Sequence, residues 1–238
     1  MNWEYSAMFH QMSKHLQSEP EQQPGEWEMI DYKLYPRLPK IELEGGSFEG
    51  GVFDLIKRRQ SRRDFKRESI TKQELALLLK YSCGSIDEKS EGHNQRAQPS
   101  SGRRFPIEVY PIVFRSGNDL KAGLYHYNVK DHALDVLWDR EFSNEDISQI
   151  FTFPWVRDAA VGIVITAIFW RNQNKYGERG YRYILLEAGH IGQNLYLISE
   201  ALGIKCCALG GTLDKNLEKL VDIDGVMESV VYALAVGR

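Results

Sequence analysis

Between residues 181 and 202 the apolar positions Ile184, Ala188, Ile191, Leu195, Ile198 and Leu202 follow one another in alternating steps of four and three. That spacing lines one face of an α-helix of about six turns with a seam of coiled-coil type. The other faces of this segment are unusual, because Ala188, Gly189 and Gly192 are small while Glu187, His190, Gln193 and Asn194 are polar. A glycine inside a helix costs about 0.5 to 1 kcal/mol relative to alanine. Two within one turn predict the close approach of another backbone or of a flat ligand. The segment is therefore expected to be the central helix of the fold, with neighbours on every side.

The remaining pattern supplies a sheet for that helix to cover. Residues 161–169 are almost wholly apolar and rich in β-branched side chains, which predicts a strand buried on both faces. Further strands are expected over 107–115, 124–128, 133–138, 204–209 and 230–236. Short helices are expected over 5–16, 52–59, 72–81 and 212–220. The third of these has Thr71 and Glu74 spaced as a capping box, with Leu75, Leu78 and Leu79 for its buried face. Gly203 ends the long helix, and the polar stretch 170–180 reads as the connection into it. Residues 1–50 carry Pro20, Pro24, Pro36, Pro39 and Gly45-Gly46, a turn-rich composition that predicts an extended arm preceding a single domain over 51–238.

One local cluster stands out from a mildly acidic body. Arg58-Arg59-Gln60-Ser61-Arg62-Arg63 packs four guanidiniums and a hydroxyl into six positions, while the whole chain has a net charge of −3. Arginine forks match phosphate oxygens bidentately and stay charged at any working pH, so a phosphate is the natural partner. The same cluster could form a solvated basic turn or a nucleic-acid patch, but a general nucleic-acid binder carries a domain-wide basic excess that is missing here. The three cysteines, Cys83, Cys206 and Cys207, have no metal-type spacing and read as reduced thiols of a cytoplasmic protein. No residue cluster supports a metal site. No run approaches the roughly 18 apolar residues of a membrane helix, and no signal-peptide pattern opens the chain.

Three motifs in order carry a resemblance. Residues 58–65 (Arg-Arg-Gln-Ser-Arg-Arg-Asp-Phe), 99–106 (Pro-Ser-Ser-Gly-Arg-Arg-Phe-Pro) and 181–195 resemble the SagB-type dehydrogenases. These form the thiazoline/oxazoline-oxidase branch of the nitroreductase-like FMN flavoproteins. Phe9-His10 and Ser13-Lys14 resemble the same branch. The resemblance implies an α+β, nitroreductase-like fold: a central, mostly antiparallel sheet flanked by helices, with FMN at the interface of an obligate homodimer. It assigns Arg59, Ser61 and Arg63 to the ribityl phosphate and Gln60 to the ribityl or ring edge, leaving Arg58 and Arg62 to solvent or a carboxylate. Pro99, Ser100, Ser101 and Gly102 would run beside the isoalloxazine ring. Gly210 and Gly211 would pass the ring, and Arg238 would reach the phosphate unless it frays. Gln193 and Asn194 could donate to flavin, cross the dimer or satisfy buried backbone groups. His190 is expected to be buried and paired with Glu187.

The activity implied is oxidation of an azoline, in a peptide or small metabolite, with proton removal at one ring carbon and hydride delivery from the other to flavin N5. Azole oxidases of this kind use a Lys-Tyr pair, for which Lys175 and Tyr176 are the candidates, with Tyr181 a competing tyrosine. A desolvated lysine can act as the general base. An exposed loop lysine is the plainer reading of Lys175. An NAD(P)H-dependent nitro- or enone reductase and a non-catalytic partner subunit are the alternatives on the same scaffold. Any cyclodehydratase partner would be a separate chain.

Overall fold

The computed structural model of the chain describes residues 3–14, 33, 36–37, 39–41, 43, 50–86 and 95–238. Six strands form one sheet in the order β3-β2-β1-β4-β6-β5. They are β1 (Ile107–Val113), β2 (Gly123–Asn128), β3 (Ala133–Trp138), β4 (Val161–Ile168), β5 (Lys205–Leu209) and β6 (Glu228–Gly237). Every pairing is antiparallel. The described helices are α1 (Glu4–Met12), α2 (Val52–Arg58), α3 (Lys72–Cys83), α4 (Asn144–Ser148), α5 (Trp170–Tyr176), α6 (Arg179–Leu202) and α7 (Asp214–Val221). Most of the expected arm, including residues 15–32 and 44–49, lies outside the described residues.

Strand β4 is covered on both faces, as its unbroken apolar run predicts. Successive side chains of a strand alternate between faces. Val161, Ile163 and Ile165 meet α3 and α6 through Leu75, Leu78, Ile184, Ile191 and Leu195. Val164 joins the opposite core, built from Phe114, Ile147, Phe151 and Leu217. Each such side chain, fully buried, contributes about 1.5 to 3 kcal/mol. Helix α3 begins as its sequence predicts: Thr71 Oγ1 accepts the Glu74 amide at 3.1 Å, and the Glu74 carboxylate accepts the Thr71 amide at 2.8 Å.

Two expectations are corrected. The stretch 170–180 is no simple connection, because it contains α5, whose polar Asn172 and Gln173 are buried. Gly177, at φ 56°, turns the chain between α5 and α6. The long helix α6 does not have neighbours on every side among the described residues. Arg182, Leu185, Leu186, Gly189, His190 and Gln193 form an exposed stripe at helical spacing. The flat group that Gly192 admits is the ring of Tyr232, whereas Gly189 has open space in front of it.

Candidate functional site: an anion cradle, a strained turn and an open glycine

The arginine cluster is fixed by backbone bonds to the far edge of the sheet. Arg59 caps α2, and from there the Arg62 amide donates to the Cys206 carbonyl of β5 at 3.1 Å and the Lys66 amide to the Arg238 carbonyl at 2.7 Å. The four arginines then divide. Arg58 and Arg62 both reach the Glu200 carboxylate, at 3.9 and 3.3 Å. Arg59 stacks over the Tyr196 ring at 5.4 Å and Arg63 over Trp155 at 5.8 Å, and neither has a carboxylate partner among the described residues. The Tyr196 hydroxyl accepts the Ala208 amide at 2.7 Å and lies 2.9 Å from Ser61 Oγ. Either hydroxyl can donate in that pair, and when Tyr196 does so the Ser61 proton is left for an incoming acceptor. Gln60 is exposed beside them. The Arg238 side chain pairs with Glu74 at 2.6 Å, and the Lys205 ammonium with Asp64 at 2.8 Å. The cradle therefore holds two unpaired guanidiniums and a hydroxyl that can donate.

The Pro-Ser-Ser-Gly segment forms a strained turn. Gly102, Arg103 and Phe105 all have positive φ, at 60°, 53° and 45°. Such backbone persists where its surroundings hold it, and here Ser100 Oγ accepts the Phe105 amide at 2.9 Å. Pro99 and Gly102 are exposed, and Ser101 is half-buried. Behind the turn, the Gln98 amide donates to the buried Glu187 at 3.2 Å. Burial pushes the Glu187 carboxyl above the ordinary glutamate range, against hydrogen bonds from Ser100 and Gln98 that pull it down. In front lies the Lys-Tyr pair. A Cβ on Gly102 would sit 2.5 Å from the Tyr176 hydroxyl and 3.3 Å from Lys175 Nζ. Lys175 is exposed, with its ammonium 5.1 Å from the Tyr176 ring centre, and Tyr176 meets Tyr183 edge-on at 5.2 Å. The pair stands on the last turn of α5 instead of in a loop.

At the end of β5, Gly210 faces open space, while Gly211 is clamped, its carbonyl accepting the Thr152 amide at 2.9 Å. Gly210 lines a cavity of about 540 Å³ with Phe9, His10, Tyr181, Leu185 and Tyr232. Tyr181 is buried and bonds to His10 at 3.0 Å, so it is not joined to Lys175 and Tyr176. Gln193 is exposed, and Asn194 donates to the Ser82 carbonyl at 3.1 Å, the backbone-satisfying role. His190 is exposed and has no partner among the described residues, because Glu187 turns inward to Gln98. Sequence reasoning gave no role to Glu218 or Ser229, which meet His10 and Lys14 in the core. Polar residues in a weakly patterned strand and a short helix carried no signal of that meeting.

Helix α6 separates these groups. Glu187, behind the strained turn, and Tyr196, behind the arginines, are nine residues apart. At 100° per residue that is half a turn round the helix and roughly 13 Å along it. The two motifs thus lie on opposite sides of α6, Tyr196 on the same side as the exposed stripe and Glu187 half a turn away.

The sequence model of the Nitroreductase family matches residues 56–238. The chain belongs to the nitroreductase family, whose members bind flavin and are typically FMN-dependent oxidoreductases. It is 28% identical over 203 residues to a provisionally named nitroreductase of Methanocaldococcus jannaschii, covering 85% of this chain and 94% of that protein. It is 30% identical over 172 residues to the trifolitoxin-processing protein TfxB of Rhizobium leguminosarum bv. trifolii, covering 69% of this chain and 46% of the relative. The microcin B17-processing protein McbC of Escherichia coli is 25% identical over 206 residues, 79% of this chain and 73% of that one. Among solved structures, a chain of the E. coli microcin synthetase McbBCD complex with truncated pro-MccB17 bound superposes at a TM-score of 0.73. It is 19% identical and covers 100% of this chain and 94% of that one, a likeness of fold. No helix among the described residues is long and apolar enough to cross a membrane.

Proposed function

We propose that this protein is an FMN-dependent dehydrogenase of the SagB type that oxidises an azoline ring, thiazoline or oxazoline, to the azole. The observation that carries the reading is the placement of Lys175 and Tyr176 against Gly102 of the strained turn. A base and a phenol thus stand at the one exposed residue of that turn without a side chain, the Tyr176 hydroxyl taking the space a Cβ would fill. The two relatives named for processing a microcin and a trifolitoxin point to a modified peptide as the substrate.

The residues fit FMN. Unpaired Arg59 and Arg63, with Ser61 between them, suit a phosphate dianion, and Arg238 can join once it leaves Glu74. Gly210 and the cavity beside it suit a planar ring. Bound FMN would supply the two-electron acceptor. Because the cradle and the strained turn lie on opposite flanks of α6, a two-fold pairing across the exposed stripe would bring one chain's turn to the other's cradle. The site is then shared by a homodimer. Lys175 would take the ring proton, and Tyr176 would hold the substrate or the lysine in line.

The test begins with the chromophore released from purified protein: FMN at about one per chain supports the reading, and protein that cannot be loaded with FMN ends it. Lys175→Ala and Tyr176→Phe should keep their flavin and lose azoline oxidation. Retained oxidation in both variants would remove the pair from the mechanism. Bleaching by NAD(P)H with nitroarene turnover untouched in both would favour a reductase instead.

A further inference from the structure

Helix α1 is tied to the core by a chain of buried groups that the reaction above does not use. His10 is 6% exposed and sits among Tyr181 of α6, Ser229 of β6, Glu218 of α7, Lys14 beyond the end of α1 and the ring of Phe169. Its Nδ1 lies 3.0 Å from the Tyr181 hydroxyl and its Nε2 2.8 Å from Ser229 Oγ. The Ser229 hydroxyl donates to Glu218, whose Oε1 also takes the Lys14 ammonium at 2.7 Å.

The direction of these bonds follows from chemistry. Ser229 has one proton and gives it to a carboxylate, so towards His10 it can only accept. The His10 proton is then on Nε2, Nδ1 is bare, and Tyr181 must donate to it. Burial, with Lys14 nearby, holds the His10 pKa down at about 4, so the ring is neutral at pH 7 as this pattern requires. Every donor in the chain points the same way, from Tyr181 to Glu218.

The two ends open onto different spaces. Tyr181 lines the cavity beside Gly210. Glu218 lines an open polar cleft of about 450 Å³, together with Gln11, Lys215, Lys219 and Asp222, and Lys14 borders both this cleft and the cavity.

We propose that Tyr181, His10, Ser229 and Glu218 form a proton relay that connects the cavity beside Gly210 with the polar cleft at Glu218. The proposal rests on the oxidoreductase reading and adds a route for its proton. A proton released in the cavity binds the Tyr181 oxygen as the Tyr181 proton passes to His10 Nδ1. The Nε2 proton passes to Ser229, the Ser229 proton to Glu218, and Glu218 releases it to water in the cleft. One proton enters, one leaves, and no electrons move. Tyr181 is then the cavity end of the relay, taking up the proton once Lys175 has given it up, and His10, Ser229 and Glu218 act through it.

The experiment uses the FMN-loaded enzyme with an azoline-bearing peptide. His10→Gln can keep both hydrogen bonds but cannot pass a proton through a ring. It should lower kcat at least tenfold with KM, flavin content and melting temperature unchanged, and Ser229→Ala should do the same. In His10→Ala, added imidazole should restore turnover in part. An unchanged kcat in loaded His10→Gln overturns the relay. Nitrogen-15 NMR of His10 in the wild-type protein gives a readout without turnover: a proton on Nε2 supports the relay and a proton on Nδ1 overturns it. If wild-type holoenzyme leaves azolines untouched, the azoline reading alone falls. The nitrogen-15 readout then still decides the relay, with the same two outcomes.

Discussion

The seat of α1 and the backing of the Pro-Ser-Ser-Gly turn are both polar clusters buried against α6, yet only one of them is closed. Around α1, three inward polar side chains have partners in the core: Ser6 with Gln173 at 2.8 Å, His10 on both nitrogens, and Lys14 with Glu218 and the Gly225 carbonyl. Behind the turn, Glu187 Oε2, Gln98 Oε1 and Ser82 Oγ are buried without one among the described residues. Buried polar atoms are nearly always satisfied. The α1 cluster therefore already has its hydrogen bonds and its relay order in place, whereas the one behind the turn has room for a further proton or group. One proton on Glu187 would let it donate to Gln98, in agreement with the upward push of its pKa.

The largest effect is expected from breaking the closed cluster at its ion pair. Lys14 and Glu218 are both nearly inaccessible, at 3% and 8% side-chain exposure. Lys14→Ala leaves a buried carboxylate with one partner fewer, a change of about 3 to 5 kcal/mol. Urea denaturation should show it, and a loss under about 1 kcal/mol would mean that α1 is not anchored there. Replacing both partners, Lys14→Met with Glu218→Leu, should cost far less than the single change.

Acid opens the same cluster at His10. Its pKa falls from 6.5 to about 4 on folding, so the unfolded chain binds the proton more readily. The contribution is complete above pH 6.5 and disappears as the pH drops towards 4, a total of about 2 to 3 kcal/mol. His10→Gln should flatten that part of the stability profile. A wild-type profile already flat between pH 6.5 and 4 would contradict the buried, neutral ring.

How much of this was legible in the sequence depended on how far apart the partners lie. The α3 cap spans three residues, and β4 declares its two-sided burial in its own composition, so both were readable. Helix α5 was not, because its buried Asn172 and Gln173 are held by contacts with α6 and α1 that no periodicity records. The arginine motif was visible as a phosphate cradle in kind, but its division was not: Glu200, which takes Arg58 and Arg62, lies well over a hundred residues away. His190 was misread for a related reason. Glu187 is one helical turn from it, yet the Gln98 amide, from a distant loop, turns the carboxyl inward.

The open cluster gives a smaller and more diagnostic effect. If Glu187 is carried as the acid, Glu187→Gln replaces its O–H with an N–H donor at nearly the same place, and stability at neutral pH should change by less than about 1 kcal/mol. The pH dependence should change more clearly. A carboxyl whose pKa rises on folding stabilises the protein fully below its unfolded value of 4.5, and that contribution fades as pH climbs through the raised folded value. The glutamine variant should lack this fade. A loss of several kcal/mol would instead show an ionised Glu187 with a partner of its own.

The smallest effect tests whether closed and open also describe the arginines. Arg58 is 62% exposed and 3.9 Å from Glu200, which keeps Arg62 at 3.3 Å when Arg58 is removed. An exposed pair of this length is worth a few tenths of a kcal/mol. Arg58→Ala should therefore leave both the unfolding midpoint and the FMN content of the purified protein unchanged. Loss of FMN from this variant would place Arg58 in the cradle with Arg59 and Arg63, and would mean that contact with Glu200 does not remove an arginine from anion binding. Retention, set beside loss in Arg59→Ala one residue away, would tie phosphate binding to the guanidiniums that the fold leaves unpaired.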